Sequence, residues 1–444
     1  MLSAHDRVVV SRDPALTGLS LLLDDEALLE WLKRNPPEAD GWADLPEEVT
    51  CRYLRYKPGV RLVGAFELRT ASGYTLQFKA WAVAEGGRDK LEKAIRELPP
   101  AFAPARRWCR TLRVMVQFHP DDRDLPYLAR IADPGAREAL LGRRLPELAG
   151  QFQGPLRILS YKPERRFVAA LSRQGEPAAV VRGYTADRFS RSLRGARAFR
   201  TTPEGFRIPR LLGESRGAAI LIQEWLQGTP QGVDCWGLRT PAEAAVLADR
   251  IGRALHGLHS QGARNLRRPE CSGLSGAVAG VESVRPGDTA RAARRVARWL
   301  RPLLPGWEGP PPPLVTPLHG DFHPGQILVS GDRLALVDFD RAVLGDPLRD
   351  LATFVAHLES GSAEGRVPEA VCAAAERGLL EGYREAGGTV DPERFQWQCA
   401  AALIRRAPHP FRSRAPEWPA ATDALVARAS TRLSHPGGGF HALP

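Results

Sequence analysis

The sequence predicts an α+β fold, with strands and single helices alternating in the amino-terminal half and a mostly helical carboxyl-terminal half. Three observations predict it. Around Leu156–Leu171 two apolar runs flank a Lys162-Pro163 turn, and buried-looking strands follow at Ala178–Tyr184 and Ala218–Leu226. Apolar positions at helical spacing run from Ala242 to His259, and helix-like segments recur at Ala373–Tyr383 and Phe395–Leu403. Between these, Ile327-Leu328-Val329, a Gly331-Asp332 turn and Leu334-Ala335-Leu336-Val337 read as a short hairpin joining two polar loops.

A chain of 444 residues exceeds what one core usually supports, so two or three domains are expected. Residues 1–150 read as an added α/β domain, residues 151–228 as a second mixed lobe, and residues 229–444 as a mostly helical lobe. The first two share an order of elements. Tyr56-Lys57-Pro58-Gly59-Val60-Arg61-Leu62-Val63 echoes Tyr161-Lys162-Pro163-Glu164-Arg165-Arg166-Phe167-Val168, and Leu76-Gln77-Phe78-Lys79 echoes Val180-Val181-Arg182 after a similar interval. Asp89–Ile95 then takes the helix position held later by Arg188–Phe199, and Leu112–Phe118 the strand position held by Ala218–Leu226. The pattern implies a duplicated lobe, its first copy being a cap over a site, a dimerisation surface or a relic. A Gly- and Arg-rich stretch and then Gly309-Pro310-Pro311-Pro312-Pro313 separate the long Ala242–His259 helix from the polar loops, the proline run reading as a stiff connector.

Those loops carry the chemistry. Leu318-His319-Gly320-Asp321-Phe322-His323-Pro324-Gly325-Gln326 and Leu336-Val337-Asp338-Phe339-Asp340 set three oxygen-bearing side chains on neighbouring turns of the chain. Phosphoryl transfer asks little covalent chemistry of a protein; it needs an acceptor hydroxyl held in line and metal to neutralise the phosphate oxygens. Asp321 is placed to take the hydroxyl proton. Gln326, five positions on, offers an amide carbonyl to a hard cation, and Asp338 offers the carboxylate that Mg²⁺ prefers. His319 and His323 read as residues that brace the loop.

These two segments, with Gly345-Asp346-Pro347 and Asp350-Leu351-Ala352 downstream, resemble the catalytic and metal-binding loops of the aminoglycoside phosphotransferase and choline kinase-like small-molecule kinases. The usual Asn of that family is here Gln326, a form that resembles the maltokinase branch. The resemblance implies a bilobal protein-kinase-like fold with an additional amino-terminal α/β domain, in which Asp321 is the catalytic base, Gln326 and Asp338 hold Mg²⁺, and Asp350 is structural. It also implies ATP as cofactor, its adenine held by backbone at the end of the Ala218–Leu226 strand, near Gln223 and Glu224. Such kinases place a lysine on the α- and β-phosphates. Here Arg182 stands in that strand, Lys162 lies in the preceding turn, Lys79 is a third candidate, and the following helix offers no glutamate to pair with Arg182. The implied activity is transfer of phosphate from ATP to the hydroxyl of a small molecule, a sugar, an aminoglycoside or a related compound. A pseudokinase that binds nucleotide or serves as a scaffold is the alternative.

Composition fits. Hydrophobic residues make up 43% and charged residues 25%, an ordinary globular balance, and no apolar run approaches membrane-spanning length, so a cytoplasmic location with no membrane partner is expected. The net charge of +11 is spread as Arg rather than gathered in a tract, and aromatics are only 7%, which points away from nucleic acid and toward a small anion. Lysine is confined to Lys33, Lys57, Lys79, Lys90, Lys93 and Lys162. Cys51, Cys109, Cys235, Cys271, Cys372 and Cys399 show no paired or metal-type spacing and are expected to be reduced, buried and inert. Nothing in the sequence sets the oligomeric state.

Overall fold

The computed structural model describes residues 2–36, 46–97, 106–142, 154, 156–173, 175–202, 205–262, 265–268, 273–304 and 309–434. The α+β expectation holds over them. Apolar and polar residues alternating from Pro46 onward build a five-stranded sheet from β1 (Pro46–Lys57), β2 (Arg61–Thr70), β3 (Thr75–Val83), β4 (Arg106–Cys109) and β5 (Val114–Phe118), in the order β1-β2-β3-β5-β4. The helix Arg88–Arg96 sets Leu91 against Val63, Trp81, Val83 and Met115 of this sheet. A second sheet has the same order, β6-β7-β8-β10-β9, from β6 (Leu156–Lys162), β7 (Arg166–Arg173), β8 (Glu176–Tyr184), β9 (Leu211–Ser215) and β10 (Ile220–Glu224). Its apolar residues Phe167, Leu171, Val181, Ile220 and Ile222 pack with Leu128, Ile131, Leu140 and Leu141 from two short helices ahead of it.

The shared Tyr-Lys-Pro turns have a common physical cause. In the first sheet, Asp13 Oδ2 accepts the Tyr56 hydroxyl at 2.8 Å and the Gly59 amide at 2.9 Å. In the second, Asp122 Oδ2 accepts the Tyr161 hydroxyl at 2.8 Å and the Glu164 amide at 2.9 Å. Each turn is clamped by one carboxylate supplied by the chain ahead of its sheet, and the residue whose amide is clamped sits at positive φ, 63° at Gly59 and 60° at Glu164.

Strand register corrects one sequence reading. Both turns close on equivalent pairs, Lys57 opposite Arg61 and Lys162 opposite Arg166. From there Val63 faces Trp81 and Val168 faces Arg182, so Arg182 corresponds to Trp81. Lys79, opposite Ala65, corresponds to Val180, opposite Ala170. The echo between Lys79 and Arg182 is therefore two residues out of register, because β2 and β3 extend further before they turn than β7 and β8 do.

The chain forms two compact units. One comprises Met1–Phe189, Leu212–Ile222 and Phe411–Arg414; the other comprises Ser190–Leu211, Gln223–Pro410 and Ala415–Pro444. The second unit is mostly helical around one apolar core that includes Phe322, Leu336, Phe354, Leu379, Phe395 and Leu403. Its helices include Pro241–His259, Glu369–Glu385 and Pro392–Arg406, where sequence spacing places them, and Leu348–Ala363. Two more, Leu274–Val284 and Asp288–Leu300, occupy the Gly- and Arg-rich stretch, where Ala290, Ala293, Val296, Ala297 and Leu300 bury one stripe between arginines. Short strands complete it: β11 (Thr229–Pro230), β12 (Thr316–Leu318), β13 (Ile327–Ser330), β14 (Arg333–Leu336) and β15 (Val343–Gly345).

Among the described residues no helix is long and apolar enough to cross a membrane. Cys51, Cys372 and Cys399 are buried free thiols, with burial pushing the Cys372 thiol up to about 12; Cys109 and Cys235 are only half-buried, and Cys271 lies outside the described residues.

Candidate active site

β13 and β14 pair as the expected hairpin, Ile327 opposite Leu336 and Leu328 opposite Ala335, and so bring both ends of the hairpin to one edge. The loop ahead of β13 carries Asp321 and Gln326; the loop after β14 carries Asp338. His319 ties the two loops. Its Nε2 donates to the Val337 carbonyl at 3.0 Å and its Nδ1 accepts the Asp321 amide at 3.3 Å, which fixes one tautomer of a fully buried ring. The Gln326 carbonyl also accepts the Val337 amide at 3.0 Å.

Asp350 organises the turn from behind. Its carboxylate accepts the His319 amide at 2.7 Å, the Gly320 amide at 2.9 Å and His259 Nε2 at 3.2 Å. Burial works to raise this carboxyl, but the His259 hydrogen bond and the neighbouring imidazoles hold it below the usual range. His259 is bonded on both ring nitrogens, its Nδ1 lying 3.0 Å from the Tyr383 hydroxyl. Gly320 stands at φ 79°, and a Cβ there would meet the Arg341 carbonyl at 2.1 Å, so the turn admits no side chain.

Asp321 keeps 32% of its side-chain surface exposed, and Arg341 Nη1 lies 3.5 Å from its Oδ1. Burial by the surrounding loop pushes the carboxyl up; Arg341 overcomes this and holds it below the usual carboxylate range, so it is ionised at neutral pH.

Gln326 and Asp338 meet directly. The Gln326 amide nitrogen donates to Asp338 Oδ2 at 3.3 Å and lies 3.1 Å from His323 Nε2. Burial lowers the His323 pKa to about 4, so its ring is neutral; since Nδ1 accepts the Gly325 amide at 3.1 Å, the ring proton sits on Nε2 and points at Gln326. Half a turn of the Gln326 amide brings its oxygen to both places, where it accepts from His323 and stands beside the Asp338 carboxylate. That leaves an amide oxygen and a carboxylate side by side, the hard donor pair that Mg²⁺ takes alongside substrate phosphates. Among the described residues no group of three His, Cys, Asp or Glu side chains could hold a metal ion.

Asp338 is a non-glycine residue at φ 70°, a conformation that costs free energy and recurs at functional sites. The next residue anchors it: Phe339 packs on Phe199 at 5.0 Å and His319 at 4.8 Å between ring centroids. Gly195 lets the helix Ala186–Ala198 pass against this segment, since a Cβ there would lie 1.9 Å from the Phe339 carbonyl. Behind the loop, His323 stacks on His357 at 4.1 Å with ring planes 7° apart, and His357 Nε2 faces Arg406 Nη1 at 3.4 Å. Because the guanidinium can only donate, that nitrogen of His357 is an acceptor, which agrees with burial driving its pKa well down. The His323, His357 and Arg406 line was not visible in the sequence, because its members come from a loop and two separate helices.

The structure therefore brings Gln326 and Asp338 together, with Asp321 on the same loop as Gln326. Lys162 and Arg182 lie in the other unit, Arg182 buried on β8 at 5% exposure. Gln223 is buried at the end of β10. Glu224 donates its amide to the Arg210 carbonyl at 2.9 Å, and its carboxylate accepts from Arg207 at 2.5 Å and from the Arg210 amide at 3.3 Å. It lines a cavity of about 880 Å³ rimmed by Arg200, Arg207, Arg250, Arg253 and Arg333; none of Asp321, Gln326 or Asp338 touches that cavity.

The profile of the phosphotransferase enzyme family matches residues 155–403, a span that takes in the second sheet and both polar loops and leaves out the first sheet. Solved structures with a similar fold include a choline/ethanolamine kinase family protein from Mesorhizobium loti, at 21% identity over 69% of this chain and 97% of that one, with a TM-score of 0.45. A glucosamine kinase aligns at 19% identity over 98% of this chain and 100% of that one, TM-score 0.42. An aminoglycoside phosphotransferase solved with ADP and hygromycin B aligns at 17% identity over 66% and 97%, TM-score 0.43. No curated protein matches the chain.

Proposed function

Since the chain belongs to the phosphotransferase enzyme family and is a small-molecule kinase by that membership, we propose that it transfers the γ-phosphoryl group of ATP to a hydroxyl of a small molecule, with Mg²⁺ as the metal. The observation that carries the reading is the contact between Gln326 and Asp338, held by His319 on the loop that also bears an ionised Asp321.

Asp321 accepts the hydrogen bond of the acceptor hydroxyl, orients it and takes its proton as the bond to phosphorus forms. Its lowered pKa keeps it in the accepting form throughout the neutral range. Asp350 and Gly320 hold the turn on which Asp321 sits, so the carboxylate needs no reorganisation. Asp338 and, after rotation of its amide, Gln326 would hold the metal, which when bound neutralises charge on the transferring phosphate oxygens. Lys162 and Arg182 supply positive charge to the nucleotide phosphates, Arg182 in place of the lysine usual in kinases; Gln223 and Glu224 flank the adenine. The first sheet is an added domain. The acceptor is a sugar or a sugar-containing compound, with an aminoglycoside or another natural product the second choice.

Equilibrium binding of ATP with and without Mg²⁺, by calorimetry, tests this on the wild type and on Asp338→Asn. Magnesium-dependent binding that the variant loses is the expected result, followed by a screen of sugars and aminoglycosides as acceptors. Absence of ATP binding by the wild type would leave a non-catalytic scaffold in its place.

A further inference from the structure

The two clamped turns, Pro58-Gly59-Val60 and Pro163-Glu164-Arg165, differ at the residue whose amide is clamped. Where the first sheet has Gly59 at φ 63°, the second has Glu164 at φ 60°, a position that disfavours every residue with a Cβ. Backbone geometry alone favours glycine in both places. The carboxylate of Glu164 shows what the glutamate is for: Arg61 Nη2 donates to Oε1 at 2.6 Å and to Oε2 at 2.7 Å, and Arg55 Nη2 donates to Oε2 as well. Arg55 lies on β1 and Arg61 opens β2, so both guanidinium groups come from the first sheet. The Asp122 clamp on the same turn is also anchored there, its Oδ1 accepting from Lys79 of β3 at 3.2 Å. Four groups that reach across from the first sheet and the segment after it, Arg55, Arg61, Asp122 and Lys79, thus fix the turn Lys162-Pro163-Glu164-Arg165.

In kinases the turn between the first two strands of the nucleotide-binding lobe covers the phosphates, and it is rich in glycine so that its backbone can close on them. The turn of this chain contains no glycine, and the Glu164 amide already serves Asp122. Such a turn cannot adjust by its own flexibility. It has to be placed from outside.

We propose that Glu164 is a positioning residue through which the first sheet holds the phosphate-facing turn, and that this bracing is the function of the amino-terminal domain. The proposal rests on the kinase reading above. Glu164 acts on the turn and touches no substrate. Its ion pairs are half-buried, with 15% of the Glu164 side chain exposed against 30% and 32% of Arg55 and Arg61, so removing them alters the turn without opening the core.

Glu164→Gly is the test variant. It installs the residue of the first turn, relaxes the backbone at positive φ and removes the handle; Glu164→Gln and Tyr161→Phe serve as second and third variants that keep the backbone as it is. Calorimetry in Mg²⁺ compares ATP with adenosine, alongside thermal unfolding. The expected result is ATP binding weakened about threefold to thirtyfold, adenosine binding unchanged, and an unfolding midpoint unchanged in Glu164→Gly. Ion-pair loss and glycine relief offset each other in the midpoint, whereas they do not offset in a turn that is out of place. If ATP and adenosine weaken together, or neither changes while the wild type binds ATP, the brace is overturned and the kinase reading stands. A wild type that binds no nucleotide overturns both.

Discussion

The two five-stranded sheets share strand order, turn chemistry and an Asp clamp, yet they bury different things. The first buries charge against the carboxylates of the segment that follows it: Lys79 pairs with Asp122 at 3.2 Å, Arg106 pairs with Asp121, and Gln117 bridges Asp121 to the Trp81 indole at 3.1 and 2.9 Å. The second has Val180 where the first has Lys79, and an arginine, Arg182, where the first has Trp81. One strand order thus holds a buried polar cluster beside the first sheet and, in the second sheet, which the family profile covers, an arginine among mostly apolar residues. A fold sets which positions are buried, and the two sheets fill those positions differently.

The largest expected effect lies at the polar loops, where Asp321 is the proposed base. Asp321→Asn keeps the shape and removes the base, so turnover with any acceptor should fall by roughly 10²–10⁴-fold, the range for losing a positioned general base, while ATP affinity is kept. Steady-state rates and calorimetry on one preparation check both halves. An equal loss of turnover from Trp81→Phe in the first sheet would erase the distinction between the copies.

Next comes the buried polar cluster. Lys79→Met leaves the Asp122 carboxylate, which has no exposed surface, without its cation, and breaking a buried pair from one side costs roughly 3–5 kcal/mol. The corresponding change in the second sheet, Val180→Ala, should cost about 1 kcal/mol, since Val180 is only partly buried. Urea unfolding of both variants gives the difference; similar values would mean that the Lys79 pair is not what holds that cluster.

The joint between the sheets should be acid-sensitive. His119 follows β5, its ring meets that of Tyr161 edge-on at 6.2 Å, and burial lowers its pKa to about 4. The sign follows from linkage. The unfolded ring takes up a proton near pH 6.5 and the folded one only near 4, so the unfolded state binds more protons in between and stability falls as pH drops through that window. Between pH 6.5 and 5 the loss from His119 is roughly 2 kcal/mol, and His119→Gln should remove that part of the acid slope. His323 and His357, also held neutral by burial, leave a residual slope in the variant.

What the sequence made legible follows from what is local. The hairpin between the Asp321–Gln326 loop and Asp338 read directly because it is a run of consecutive residues. The Tyr-Lys-Pro echo read correctly because each turn is one short segment. Its partners did not: Asp13 lies 43 residues from Tyr56, and Asp122 lies 39 from Tyr161, and no spacing rule links a carboxylate to a turn that far away. Register failed for the same reason, since hairpin length is set by where β2 and β3 stop pairing. The helix Asp288–Leu300 was within reach of the sequence: Ala290, Ala293, Val296, Ala297 and Leu300 recur at helical spacing against arginines on the other face, a strong amphipathic contrast that reading the stretch as Gly- and Arg-rich passed over.

The smallest effect should come from the edge of the first sheet, where the same ion-pair chemistry meets water. Arg69 donates to Glu47 at 3.2 Å and to Glu48 at 2.9 Å, with about half of each side chain exposed. Solvent screens such a cluster, and ordering three long side chains offsets much of the attraction, so Arg69→Ala should cost less than about 1 kcal/mol and the difference should vanish in high salt. Arg106, whose carboxylate partner is as buried as itself, is the internal control: Arg106→Ala should cost several times more and respond little to salt. If both variants behave alike in unfolding at low and high salt, burial is not what separates the brace from its rim, and the contrast between the buried cluster beside the first sheet and the second sheet has to rest on geometry alone.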